Sequence, residues 1–333
     1  MKRTFPLIFS LFLFPIFAQI KLPAQIANKA FVPEKIKNFM RFYPDVEYSA
    51  LFDVEQNDWK IDMTAELYFE RTAKPKSKKT ATFYWADGRL LPKEELSNKE
   101  NYWILQYKYE NTLRDPKTYS EEEIGRLKDF GSSENRKNEG GTPMFFFDFL
   151  YSAQSKLVIE DHIIKTTFLG KSTRIHERIY DPIKNVEKKI CDLAEISLET
   201  LSTNAQIAKI GLERGANGAP LSAEAKEARE FLISLKSADA YYWREIAGTS
   251  RKSFHSYGTA IDVLPKRLNG KAIYWGWEKD RLGDKWMLVP LEKRWTPPAS
   301  VRKIFESEGF IWGGYWIIFD NMHFEYHPEL VRN

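Results

Sequence analysis

The chain has 333 residues, 43% hydrophobic and 15% aromatic, enough apolar material for one large or two smaller cored domains. Its 50 lysines and arginines nearly balance 46 aspartates and glutamates, and a formal charge of +4 spread along the sequence makes no case for a nucleic-acid partner. The single cysteine, Cys191, excludes an internal disulfide, so the fold must rest on its core.

Residues 1–18 read as a signal peptide. Lys2 and Arg3 form a basic start, Phe5 to Phe17 is an uncharged apolar run, and Ala18 suits the last position before cleavage. The run is short for a membrane span, so the expectation is export to the periplasm or outside the cell, with no stable span after cleavage. A retained anchor is the alternative, since Ile16 is not ideal at the −3 position. No cysteine follows the run to take a lipid.

Residues 19–115 read as a β-rich accessory region. A weak helical period at Ile36, Phe39 and Met40 comes first. Strand patterns follow at Asp58–Phe69, Thr80–Trp85 and Trp103–Tyr109, and Asp87-Gly88 is a two-residue hairpin signal because both central positions need positive φ. No chemistry-bearing cluster occurs in this region, and its Tyr and Trp residues are read as packing. Residues 116–143 read as a charged loop or linker. Ser120, before three glutamates, starts a short helix, whereas residues 131–141 hold too little apolar content to pack.

Apolar character returns at Met144, the start of a C-terminal unit, 144–333, expected to fold around its own site. Ile163–Gly170 is strand-like. Ile183, Val186, Ile190, Leu193 and Ile196 predict an amphipathic helix over about 182–200, with Asp181 and Pro182 at its start and Cys191 as a small buried hydrophobe. A second helix spans about 222–236 behind Ser222. Tyr241–Ile246 reads as a strand leading to the motif that follows. Thr296-Pro297-Pro298 through Gly309 predicts a third helix, and Phe310–Glu325 an aromatic strand–turn–strand with Gly313-Gly314 at the turn.

Only five histidines occur, and two fall in a pair of unusual stretches, Ser253–Asp262 and Trp312–Glu325. His255 and Asp262 are seven apart with Gly258 between them, which suits a loop feeding a strand at 260–264, where Asp262 projects opposite to Ile261 and Val263. Joined by His323 they make a mixed nitrogen and oxygen set of three, the composition of a catalytic Zn²⁺ site with a fourth position open to water. Zinc would bring the pKa of that water toward about 7. Asp320, three residues before His323, is placed to accept its proton, and Arg244 and Arg251 are the cations available to an oxyanion. Glu325 is a candidate partner for a ligand imidazole. His327, next to Pro328, is expected at the exposed C-terminus. His162 and His176 lack a ligand cluster, and Trp312 and Trp316 either line a groove or pack beneath it.

These motifs resemble the zinc D-Ala-D-Ala carboxypeptidases, D-Ala-D-Ala dipeptidases and L-Ala-D-Glu endopeptidases that cut peptidoglycan stem peptides. The family pattern is Ser-x-His-x-x-Gly-x-Ala-x-Asp, then Trp-Gly-Gly-x-Trp and carboxylate-x-x-His. It is matched by Ser253, His255, Gly258, Ala260, Asp262, Trp312, Gly313, Gly314, Trp316, Asp320 and His323. The resemblance implies one zinc held by His255, Asp262 and His323, a catalytic base at Asp320, a catalytic arginine at Arg244, and a peptidoglycan peptide as substrate. It further implies an α+β fold, a C-terminal antiparallel sheet with packed helices of the DD-peptidase/Hedgehog-like kind, here preceded by the small β-rich unit. The Asp-x-x-His-Phe-Glu ending is closest to the endolysin-like L-Ala-D-Glu branch. D,D-carboxypeptidase activity on D-Ala-D-Ala termini and a non-catalytic zinc-containing cell-wall binding protein are the alternatives. Residues 19–145 lie outside the resemblance.

Overall fold

The computed structural model describes residues 32–66, 78–138, 140–215, 218–249 and 251–331, so the signal-peptide reading lies outside the described residues. The described residues mix helices with three sheets whose strands all pair antiparallel. Among the described residues no helix is long and apolar enough to cross a membrane.

Helix α1 (Glu34–Met40) buries Ile36, Phe39 and Met40, the three residues of the weak period. A meander follows: β1 (Val46–Asp53), β2 (Asp58–Glu66) and β3 (Lys78–Tyr84). Period-two alternation turns Ile61, Met63 and Ala65 of β2 inward, against α1. The turn at Asp87-Gly88 is wider than two residues: Ala86, Asp87, Gly88 and Leu90 all have positive φ, and Tyr84 pairs with Leu91. Trp103–Tyr109 is not a strand. Its polar groups go singly to scattered partners: Trp103 N to Gly141 O, Leu105 N to Gly88 O, and the Tyr109 hydroxyl to Glu306. Among the described residues no neighbouring strand runs beside it, so alternation alone has nothing to pair with.

Residues 116–143 are partly helical. Helix α2 (Glu121–Phe130) opens on a full capping box between Ser120 and Glu123, and α3 (Ser133–Asn138) follows. Ile124 and Leu127 pack against a small cluster holding Trp275, Trp286 and Phe319. Beyond these come α4 (Phe145–Leu150) and α5 (Lys156–Glu160). The hairpin of β4 (Ile163–Phe168) and β5 (Lys171–His176) turns at Leu169-Gly170, both with positive φ. Helix α6 (Tyr180–Leu193) starts before Asp181, growing out of a 3₁₀ turn at Glu177–Ile179, and stops where Glu195 turns left-handed, so Ile196 lies past its end. Cys191 is buried in it.

Short α7 (Asn204–Ile207) leads to α8 (Ala223–Ser234), capped by Ser222 as expected. Strand β6 (Leu235–Asp239) comes next, earlier than the Tyr241–Ile246 strand predicted. After β6 the chain leaves the sheet, because Tyr241 N bonds Arg174 O and Tyr242 N bonds His255 O. Strand β7 (Ala260–Pro265), α9 (Trp275–Leu282), α10 (Ala299–Ser307), β8 (Phe310–Trp312), β9 (His323–Tyr326) and α11 (Pro328–Val331) complete the chain. The C-terminal sheet runs β6-β7-β9-β8. Pro298, not Thr296, occupies the cap position of α10, and Gly309 follows the helix with φ +96°.

The largest core lies between this sheet and α6, α8 and α10, with Phe305 stacked on Phe324 at 3.8 Å. A second core crosses the sequence. It joins α1, the meander and the phenylalanines of α4 to Phe254, Tyr257 and Ala260. The N-terminal unit therefore shares its apolar interior with the stretch that carries His255.

Candidate metal centre

His255 sits in a single 3₁₀ turn, Phe254–Tyr257, whose Ser253 cap accepts from the His255 N–H at 3.3 Å. Gly258 ends the turn at φ +66°, and a Cβ there would lie 2.7 Å from the His176 backbone nitrogen, so only glycine fits. The flanking residues anchor the turn from behind. Phe254 packs edge-on to Phe147, and the Tyr257 hydroxyl donates to Asp148 at 2.6 Å. Asp148 also pairs with Lys252.

Asp262 on β7 lies directly opposite His323 on β9, and Ile261 and Val263 face the core as their alternation predicts. His255 Nε2 is 3.2 Å from Asp262 Oδ2 and 3.2 Å from His323 Nδ1, and His323 Nδ1 is 2.8 Å from Asp262 Oδ1. The ligand atoms of the three residues all fall within 4.8 Å of one another. Among the described residues no fourth His, Cys, Asp or Glu joins the set.

The outer nitrogens fix which atoms face inward. His255 Nδ1 lies 2.5 Å from Ala240 O, which can only accept, so Nδ1 carries the proton and Nε2 presents a lone pair. His323 Nε2 lies 2.9 Å from Glu325 Oε1 and donates to it, leaving Nδ1 toward the centre. Two lone pairs and a carboxylate thus converge on one point. Burial opposes a charge on either partner, yet the imidazoles pull Asp262 below the usual carboxylate range, and hydrogen bonds to Asp262 and Glu325 hold His323 well above the usual histidine range. The centre therefore calls for a cation, a proton on His323 or a metal. Tetrahedral zinc at about 2.0–2.1 Å from nitrogen and oxygen sets ligand edges of about 3.3 Å, close to the separations found, so the residues fit that ion.

Asp320 lies in the loop before β9, its N–H bonded to Gly313 O. Its Oδ1 is buried without a hydrogen-bond partner. Burial pushes the carboxyl up to about 7; the Asp262 charge adds to this, and His323 and Arg244 oppose it. The Arg244 side chain is exposed, with Nη1 on Glu245 O, while its backbone is pinned by two bonds to the Ser256 hydroxyl. Arg251 instead reaches Gly140 O and the Trp103 ring. Trp312 is wholly buried and donates to Asn321 O, and a Cβ on Gly314 would collide with its ring. Trp316, half-buried, flanks His323 with ring centroids 5.4 Å apart.

Two residues escape a reading of the sequence. Tyr274, from the long stretch between β7 and α10, pairs with Asp320 through the backbone, and its phenol is raised by burial and by the Asp320 charge. No pattern in that stretch marks it. His327 is buried rather than exposed, held between Glu325 at 3.3 Å and Glu329 at 2.8 Å. The alternation of His323, Glu325, His327 and Glu329 was its signal.

Residues 247–326 match a family model described as D-alanyl-D-alanine carboxypeptidase, and residues 75–105 match one described as a domain of unknown function. The first match contains His255, Asp262, Asp320 and His323, begins after Arg244, and supports a peptidase of that family in this part of the chain. No curated protein and no solved structure matches the chain.

Proposed function

We propose that the protein is an exported zinc peptidase that hydrolyses an amide bond in the peptide part of peptidoglycan. His255, Asp262 and His323 hold the metal, Asp320 is the general base, and Arg244 is the cation for the developing oxyanion. The observation that carries this reading is the convergence of two imidazole lone pairs and a carboxylate beside Asp320, whose Oδ1 is buried without a partner, all within the carboxypeptidase match.

Zinc bound there supplies Lewis-acid activation of water and of the scissile carbonyl. Asp320 does the proton work. Its free Oδ1 accepts the proton of the attacking water as the carbon–oxygen bond forms, then delivers it to the leaving amine as the carbon–nitrogen bond breaks. Burial raises this carboxyl toward neutrality and a bound cation lowers it again, so it can both take and return a proton near neutral pH. Ala240 O and Glu325 keep the imidazoles in the tautomers that ligation requires. Trp316 gives the peptide a flat apolar wall beside His323. A purely structural metal site would use a fourth protein ligand and would have no need of a buried carboxyl oxygen left without a partner.

For the bond, the Asp-x-x-His-Phe-Glu ending favours L-Ala-D-Glu cleavage, while the description of the matched family favours removal of a terminal D-Ala. Digestion of purified muropeptides, with fragments identified by mass, tests both. Loss of a single terminal alanine identifies the carboxypeptidase, and an internal cut identifies the endopeptidase. No cleavage by the zinc-loaded protein under any condition, with the metal retained, would favour the binding protein.

A further inference from the structure

The polar contacts behind His323 do not stop at Glu325. The second oxygen of Glu325 lies 3.3 Å from His327 Nε2, and His327 Nδ1 lies 2.8 Å from Glu329 Oε1. The other Glu329 oxygen accepts from the Tyr43 hydroxyl at 2.6 Å, across 286 residues of sequence. The far end is closed to solvent: His327 is 5% exposed, Tyr43 2% and Glu329 0%. Three hydrogen bonds and one ion pair, the last between Glu325 and His327, thus join the metal centre to the segment between α1 and β1.

The pattern has a simple origin. In extended chain, side chains alternate, so His323, Glu325 and His327 share one side while Phe324 and Tyr326 pack into or against the largest core. Glu329, in the first turn of α11, continues the row. Each of Glu325, His327 and Glu329 has a polar partner on two sides, and turning any one of them strands a buried polar group. The ring of His323 is thereby held at its outer nitrogen by groups that are themselves held.

We propose that Tyr43 is a positioning residue for the metal centre: through Glu329, His327 and Glu325 it fixes the ring of His323, so that the N-terminal unit sets the affinity and geometry of a site whose ligands all lie in the C-terminal half. The proposal rests on the reading of His255, Asp262 and His323 as metal ligands. Outer partners of a metal-binding histidine typically change metal affinity about 10–100-fold when removed, and Tyr43 stands three links further out than Glu325.

The test uses the full chain loaded with Co²⁺ as a visible probe. Tyr43→Phe deletes only the hydroxyl, since the ring contacts with Phe39 and Phe146 at 5.4 and 5.0 Å do not depend on it. Expected are a rise of up to about tenfold in the Co²⁺ dissociation constant, read by chelator competition, and an altered Co²⁺ absorption spectrum; Glu325→Gln gives a rise of about 10–100-fold. Ile61→Val, a packing change on β2 in the same core, lowers thermal stability and leaves both metal readouts unchanged. Wild-type affinity and spectrum in Tyr43→Phe, with Glu325→Gln altered, overturn the proposal, as do equal metal effects of Tyr43→Phe and Ile61→Val. Should Tyr43→Phe fail to fold, Glu329→Gln decides by the same two readouts and the same outcomes. A wild-type chain that takes up no Co²⁺ or Zn²⁺ sinks the metal reading itself, and the proposal with it.

Discussion

Asp262 and His323 face each other across adjacent antiparallel strands, with Oδ1 and Nδ1 2.8 Å apart. Directly opposed pairs have fixed spacing, so the sheet itself holds two of the three proposed ligands at the separation a metal requires. The third, His255, is brought in by a turn that depends on one glycine.

The two carboxylates should separate binding from chemistry. Asp262→Asn removes a charged ligand and is expected to lower zinc content. Asp320→Asn is expected to keep zinc and lose about 10²–10⁴ in turnover on muropeptides. Zinc stoichiometry and turnover measured on both variants check this, and the reverse assignment would show as metal loss in Asp320→Asn alone.

Metal affinity should depend on pH with a definite sign. His323 is held above the usual histidine range without metal, and a ligand nitrogen must be unprotonated to bind, so zinc displaces a proton. Below the raised pKa each unit of acidification costs about tenfold in affinity. The zinc-induced rise in Tm is therefore expected to grow from about pH 6 to about pH 8, read by parallel melts with and without metal.

The rate should fall on the acid side for a different reason. Asp320 must be ionised to accept a proton, and its carboxyl is pushed up to about 7. kcat/KM at saturating zinc is expected to have an acid limb near or below that pH. The bound cation moves the limb downward, and Asp320→Asn removes it from the residual rate.

Gly258→Ala should be costly at a distance from any ligand atom. The left-handed backbone costs an L-residue about 1–2 kcal/mol, and the new methyl would press on the His176 backbone. A loss of about 2 kcal/mol or more in unfolding free energy is expected, together with weaker zinc binding, because the same turn carries His255.

A fragment beginning at Met144 should not fold well by itself. It would expose the faces of α4, Phe254 and Tyr257 that now pack against α1 and the meander. Low solubility and a poorly cooperative melt are expected, rescued by co-expression with residues 20–143. A soluble, cooperative, zinc-binding fragment would mean that the shared core is dispensable.

The meeting of His255, Asp262 and His323 was legible in the sequence because these residues are rare, polar and set beside glycines whose conformations have few substitutes. Asp262 could be aimed from Ile261 and Val263 alone, since a strand has only two faces. Trp103–Tyr109 and Tyr241–Ile246 were misread for the opposite reason: strand-like composition does not create a neighbouring strand, and both segments spend their backbone bonds elsewhere. His327 was misplaced because its burial depends on two carboxylates that accept it, one of them joined to Tyr43 at the far end of the chain. The sharing of a core between α1 and Tyr257 leaves no mark in local pattern at all, because any apolar face can meet any other.

Cys191 has a consequence for the life of the protein outside a reducing compartment. The thiolate is the form that reacts, and burial in α6 pushes the Cys191 thiol up to about 12, so at neutral pH the sulfur stays protonated. If the chain is exported, it arrives among oxidants with a sulfur that neither captures a second copy nor scrambles with other secreted thiols.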